Sequence, residues 1–227
     1  MATVKRSSLM IRATSLYLFS ILFVGVLVFL PAGTLKFMNG WLFMGLLFIP
    51  MFFVLLYLLV KDPELMAKRM KTKEKEKPQK VYLLLSIIVC LATFAIPGLD
   101  FRFAWSDMPS LVVMIATVTM LAGYIIFFVV MRQNSYASRV IEIQEEQKLI
   151  DTGLYALVRH PMYSGATLLY LSAPLVLGSW YALLPAVVVP LLLIMRIKNE
   201  EKVLSEGLKG YGDYMKKVRY RLIPYIW

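Results

Sequence analysis

Five stretches of this 227-residue chain carry no Asp, Glu, Lys or Arg: 13–35, 37–60, 81–99, 108–131 and 161–195. A bilayer core about 30 Å thick is crossed by about 20 helical residues rising 1.5 Å each. The first four runs are each about one crossing long. Hydrophobic residues make up 59% of the chain, against roughly 45–50% in soluble domains, and the excess lies in these runs. The chain therefore reads as an all-α integral membrane protein. No small-residue cleavage pattern follows the first run, so it reads as a retained helix rather than a signal peptide.

The fifth run, 35 residues long, would reach about 52 Å as one helix, too far for a single crossing. It contains Pro174, Gly178, Pro185 and Pro190, and Gly178-Ser179-Trp180 has the composition of a turn. A helical hairpin with legs near 162–177 and 181–206 follows. That gives about six transmembrane helices, the last two forming the hairpin. With a cytoplasmic N-terminus, Lys and Arg number 3 in the N-terminal tail, 8 in 61–80, 4 in 132–159 and 8 in 196–227. Only Lys36 and Arg102 remain outside. This bias places both termini in the cytoplasm. Two regions are expected: four N-terminal transmembrane helices over 1–131, with the basic cytoplasmic loop 61–80, and a polar-and-hairpin region over 132–227.

The net charge of +11 is thus topological, and no nucleic-acid-binding module accompanies it. Cys90 is the single cysteine and His160 the single histidine, so no disulfide and no multi-histidine or multi-cysteine metal site can form within the chain. Lys and Arg in 61–80 read as a solvated loop beside anionic headgroups, with a short helix starting at Asp62-Pro63, Asp as cap and Pro at N1. Asp100 and Asp107 lie in an aromatic-rich loop, 98–109, and read as part of an interfacial anchor.

Chemistry concentrates in two polar segments joined by the hairpin. In the first, 144–165, Asp151-Thr152-Gly153 signals a turn, and Pro161 starts a helix just after Arg159 and His160. Free N–H groups there suit an anionic ligand group. Gly165 permits a close backbone or ligand approach. In the second, Arg196 and Glu200 share a helix face, with Glu201 beside it. A cationic ligand group would meet Glu200 and an anionic one Arg196. Interfacial snorkelling and a surface ion pair are the bland alternatives. The hairpin brings both segments to one membrane surface, where they can build a single pocket.

Gly153-Leu154-Tyr155 and Arg159-His160-Pro161-Met162-Tyr163-Ser164-Gly165 together resemble the G-x-Y-x-x-x-R-H-P-x-Y-x-G signature. That signature belongs to the isoprenylcysteine carboxyl methyltransferases and their phospholipid-methyltransferase relatives. Arg196, Glu200-Glu201, Leu204, Tyr211 and Tyr214 are similar to the family's C-terminal Glu-Glu region, and Arg221-Leu222-Ile223-Pro224 to its usual close. The likeness covers about 138–224. It implies S-adenosylmethionine as methyl donor, held from the cytoplasm by a non-Rossmann site, and no G-x-G-x-x-G occurs among the 12 glycines. Carried over by motif, donor contacts fall on Gln144, Gln147, Lys148, Leu149, Ile150, Tyr155, His160, Pro161, Met162, Tyr163 and Glu200. Arg196 and Arg159 take the catalytic positions, and Arg196 with Glu201 faces the acceptor. Several relatives carry His where this chain has Gln147, which alters that contact or leaves it to the backbone.

The implied reaction is methylation of a lipophilic acceptor, a small molecule or a prenylated chain, foremost an isoprenylcysteine-like carboxylate. Membrane lipids are the expected surroundings; neither nucleic acid nor metal is expected. Three other readings stand beside it: a phospholipid N-methyltransferase, an NADPH-dependent sterol-reductase-like enzyme, and a transporter or structural membrane protein. The five charge-free runs speak against ion coupling.

Overall fold

The computed structural model describes residues 6–71 and 77–227, with side chains in the second segment from residue 83 onward. Lys5, Lys73 and Lys75 of the charge count lie outside the described residues. Among the described residues there are eight α-helices, one 3-10 turn and no strand. The helices are α1 (Arg6–Ala32), α2 (Met38–Lys61), α3 (Pro63–Arg69), α4 (Lys77–Phe103), α5 (Ser110–Gln133), α6 (Pro161–Val176), α7 (Leu183–Gly207) and α8 (Tyr211–Lys217). The 3-10 turn, Gly153–Ala156, precedes α6.

Four helices are long and apolar enough to cross a membrane: α1, α2, the 83–103 part of α4, and α5. Only 17–33% of their most apolar windows is buried inside the protein. Leu22, Leu30, Ile49, Phe53, Leu84 and Val118 point outward. A soluble fold buries such a surface; a bilayer solvates it. The fifth run is the expected hairpin. Its legs are α6 and α7, and Gly178 turns the chain with φ +80°. Neither leg is a full apolar crossing. α6 has 16 residues, about 24 Å of helix, and α7 carries charge from Arg196 onward.

Close helix contacts position the site. α5 packs along α6, where Gly123 and Gly165 face each other. A Cβ on either would come within 2.9 Å of the other's carbonyl oxygen. Small residues let membrane helices approach this closely. Gly165 thus serves the approach of a neighbouring backbone. α1 packs on α4 and α4 on α7. A core of Val28, Phe43, Phe94, Met120 and Val176 lies between them. In α2, Pro50 removes one rung of the helical ladder. In the preceding turn, Tyr124 Oη donates to Leu47 O at 2.7 Å and Tyr17 Oη to Phe48 O at 2.9 Å.

The bundle has two distinct ends. At one, α3 meets the chain after α5. Asp62 Oδ1 caps α3 from Leu65 N–H at 2.9 Å with Pro63 at N1, as the sequence suggests. Lys68 Nζ reaches Ser135 O at 3.0 Å, and Lys71 pairs with Glu142. At the opposite end, the turn before α5 meets the hairpin turn. Asp100 is not an interfacial loop residue. It lies in α4, 2% exposed, and accepts from Ser106 N–H and Ser106 Oγ, both at 2.7 Å, and from Ser179 Oγ. Its carboxylate ties the α4–α5 link to the hairpin turn.

Candidate active site

The site is built by threading residues 134–163 between the hairpin and the C-terminal tail. Gly153 is required where it stands: its φ is +61°, and a Cβ would come within 2.2 Å of Gln133 Nε2. Gln133 Oε1 in turn accepts from Leu154 N–H at 3.1 Å. The short turn then presents Tyr155 inward. Asn134 Nδ2 donates to its hydroxyl at 2.8 Å, and Tyr214 Oη donates to its carbonyl at 2.7 Å. Burial pushes the Tyr155 phenol up to about 12, so it is neutral at pH 7. Arg159 and His160 N–H groups donate to Tyr220 O and Arg221 O, both at 2.9 Å, fastening the tail alongside them. Pro161 then opens α6 at N1.

Behind this strand-like pairing sits Glu201, 6% exposed. Its Oε1 accepts from Arg159 Nε at 2.7 Å and lies 3.3 Å from His160 Nε2, while Oε2 accepts from Arg221 Nε at 2.8 Å. Burial by itself would raise its pKa. The hydrogen bonds from His160, Arg159 and Arg221 outweigh that and hold the carboxyl at about 2. Arg159 Nη1 donates to Val218 O and Arg219 O, at 2.7 and 2.8 Å. One anion therefore binds α7, the start of α6 and the tail into one unit.

In front of it opens a cavity with about 110 Å³ of free space. Of the residues singled out from the sequence, Gln147, Lys148, Leu149, Ile150, Tyr155, Arg159, His160, Met162, Tyr163, Arg196 and Glu200 line it. Two segments about 40 residues apart in sequence thus share one wall. Tyr163 Oη donates to Glu200 Oε2 at 2.5 Å and accepts from Arg196 Nε at 3.0 Å. Arg196 Nη2 also reaches Arg139 O at 2.5 Å. His160 and Tyr163 stack with centroids 5.6 Å apart.

Three singled-out residues stand behind the wall. Gln144 shapes the loop: its Nε2 donates to Tyr136 O at 2.7 Å and its N–H to Gln147 Oε1 at 3.0 Å. Pro161 is consumed in starting α6, and Glu201 in the ion cluster. The sequence reading missed wall residues in 134–142, including Asn134, Tyr136 and Ser138, and it left Tyr211 and Leu208 unplaced. Segment 134–142 bears no motif. Tyr211 is 3% exposed, and its hydroxyl has no hydrogen-bond partner among the described residues. Burial, with Glu201 and Glu200 nearby, pushes its phenol far up, so it is a neutral donor awaiting an acceptor.

Residues 111–211, a little under half of the chain, match the model of the phospholipid methyltransferase family. The family resemblance read from the sequence holds. The matched stretch runs from α5 to the start of α8 and so carries most of the cavity wall. No curated protein matches the chain. Four helices are long and apolar enough to cross a bilayer, so the matched stretch sits in a membrane-type helical bundle.

Proposed function

We propose that this protein transfers a methyl group from S-adenosylmethionine to the carboxylate of a lipophilic acceptor at the cytoplasmic membrane surface. The observation that carries the reading is the shared cavity wall, in which Glu200, Tyr163 and Arg196 form one hydrogen-bonded chain.

The residues present fit such a donor. Glu200 offers a carboxylate for an α-amino group, and Lys148 a cation for an α-carboxylate. Tyr155, Tyr211 and Leu208 supply apolar and aromatic surface for a purine, and the unpartnered Tyr211 hydroxyl supplies a hydrogen bond. Aromatic faces at Tyr155 and Tyr163 suit a sulfonium cation. When bound, the donor supplies an electrophilic methyl: the acceptor oxygen–carbon bond forms as the carbon–sulfur bond breaks, its electron pair going to sulfur. The chain itself needs no base for a carboxylate acceptor at neutral pH. Its task is alignment and exclusion of water. Arg196 orients the anionic acceptor; Arg159 and Glu201 act as positioning residues that hold His160 and the tail in place. The Lys and Arg distribution supports a cytoplasmic site with six crossings, the hairpin included.

A second reading, phospholipid N-methylation, is favoured by the name of the matching family. An amine acceptor must first lose a proton, and the carboxylate beside the Tyr163 hydroxyl, Glu200, is the one this reading assigns to the donor's amino group. Incubation with methyl-labelled donor and a lipid extract separates the two. A carboxylate acceptor gives a base-labile methyl ester, and an amine gives a base-stable product. Label in base-stable lipid alone would overturn the carboxylate reading.

A further inference from the structure

The short helix α3 lies outside the family-matched stretch, in the basic segment that reads from sequence as a solvated loop. It is nonetheless seated on the bundle. Leu65 is fully buried and clusters with Leu58 of α2 and Met131 of α5. Met70, the C-cap, packs on Leu9 and Ala13 of α1 and on Leu59 of α2. Seven residues make too short a helix to hold by themselves, so this packing fixes α3 in place.

Segment 134–142, part of the donor-cavity wall, has no helix or strand of its own. Chain without a regular ladder takes its place from whatever its polar groups bind. Here α3 supplies the partners. Lys68 Nζ donates to Ser135 O at 3.0 Å, and Arg69 Nη1 lies 3.4 Å from Ala137 O. Ser138 Oγ donates back to Lys68 O at 3.4 Å, and Lys71, just past the helix, pairs with Glu142. Arg69 Nη1 also lies 3.3 Å from Met162 Sδ, and its guanidinium sits over the Phe127 ring, 5.3 Å from the centroid. Burial pushes its pKa down to about 10, which leaves it charged at neutral pH. Ala137, Ser138, Glu142 and Met162 line the donor cavity, and Arg69 stands behind them. It spans from segment 134–142 to the first turn of α6.

We infer that α3 braces the methyl-donor cavity and that Arg69 is a positioning residue for donor binding, holding Ala137 and Met162 at the separation the donor needs. This rests on the methyl-transfer reading above and deepens it. Arg69 acts through Ala137 and Met162, so the brace governs how tightly the donor is held and not the transfer step. The ties from Lys68, Ser138 and Lys71 share the task. Loss of one tie loosens the wall without unfolding the bundle, because the apolar seat of α3 is untouched.

The test uses the full-length protein in nanodiscs. Arg69→Met keeps a long apolar side chain and removes the charge and its N–H donors. By hydrogen exchange read with mass spectrometry, the amides of 134–142 should exchange about tenfold faster in Arg69→Met, with α1 and α5 unchanged. Affinity for S-adenosylmethionine by calorimetry should fall about tenfold, and turnover with methyl-labelled donor and a lipid extract should show a raised KM for the donor at unaltered kcat. Arg69→Lys should restore part of both. Lys71→Gln, which removes only an exposed ion pair, should give the same pattern at about twofold. Unchanged exchange at 134–142 in both variants, exchange raised equally in α1 and α5, or a donor affinity that ignores a loosened wall would overturn the proposal. A wild type that binds no donor refutes the methyl-transfer reading alone, since exchange at 134–142 still reads the brace.

Discussion

Two buried carboxylates close the hairpin at its opposite ends, and they are held in different ways. Asp100, at the turn, is satisfied by serine hydroxyls and one backbone N–H. Glu201, at the open end, is satisfied by Arg159, Arg221 and His160. The first arrangement is a staple of uncharged donors that fixes one turn. The second gathers cations and tail beside a cavity, and the side chains in front of it keep capacity to spare, as the Tyr211 hydroxyl shows. Both ends are tied; only one is equipped for chemistry.

The largest expected effect comes from breaking the charged end. Glu201→Gln leaves buried cations without their anion and should cost about 3–5 kcal/mol, read as a lowered midpoint of thermal unfolding in detergent. It should also weaken donor binding, because His160 and the tail lose their anchor. Acid does the same reversibly. The Glu201 carboxyl is depressed from 4.5 to about 2, so its stabilisation is present above pH 4.5 and is lost as pH falls towards 2. Unfolding midpoints measured across that window should drop, and the drop should be smaller in Glu201→Gln.

Breaking the end held by uncharged donors should cost less. Asp100→Asn replaces hydrogen bonds to a charged acceptor and should destabilise by about 1.5–3 kcal/mol, with S-adenosylmethionine affinity unchanged by calorimetry. A matching loss of donor affinity would show that the two ends are coupled through the hairpin. The smallest effect belongs to Tyr211→Phe. It removes a hydroxyl that bonds nothing in the described protein, so stability should hold while donor affinity falls by about tenfold or less, the worth of one hydrogen bond.

Much of this architecture can be read from the residues alone. The 35-residue run with its Gly178 turn yields the hairpin, and the hairpin by itself brings Tyr163 and Glu200 together. Asp62-Pro63 marks the start of α3. What escapes sequence reading is long-range. Asp100 looks like a loop residue because its partner Ser179 is 79 positions away. Arg69 sits in a basic run that reads as a solvated face, yet it turns inward against Met162 and Phe127. Segment 134–142 builds a cavity wall from residues of mixed type, which leave no spacing pattern to detect.

Calorimetry of S-adenosylmethionine binding to the wild-type protein and to Glu200→Ala goes most directly to the claim that two distant segments enclose one methyl donor. The wild type should bind, and Glu200→Ala should bind at least tenfold more weakly while remaining folded. Undiminished affinity in Glu200→Ala, or no binding by the folded wild type, would contradict it.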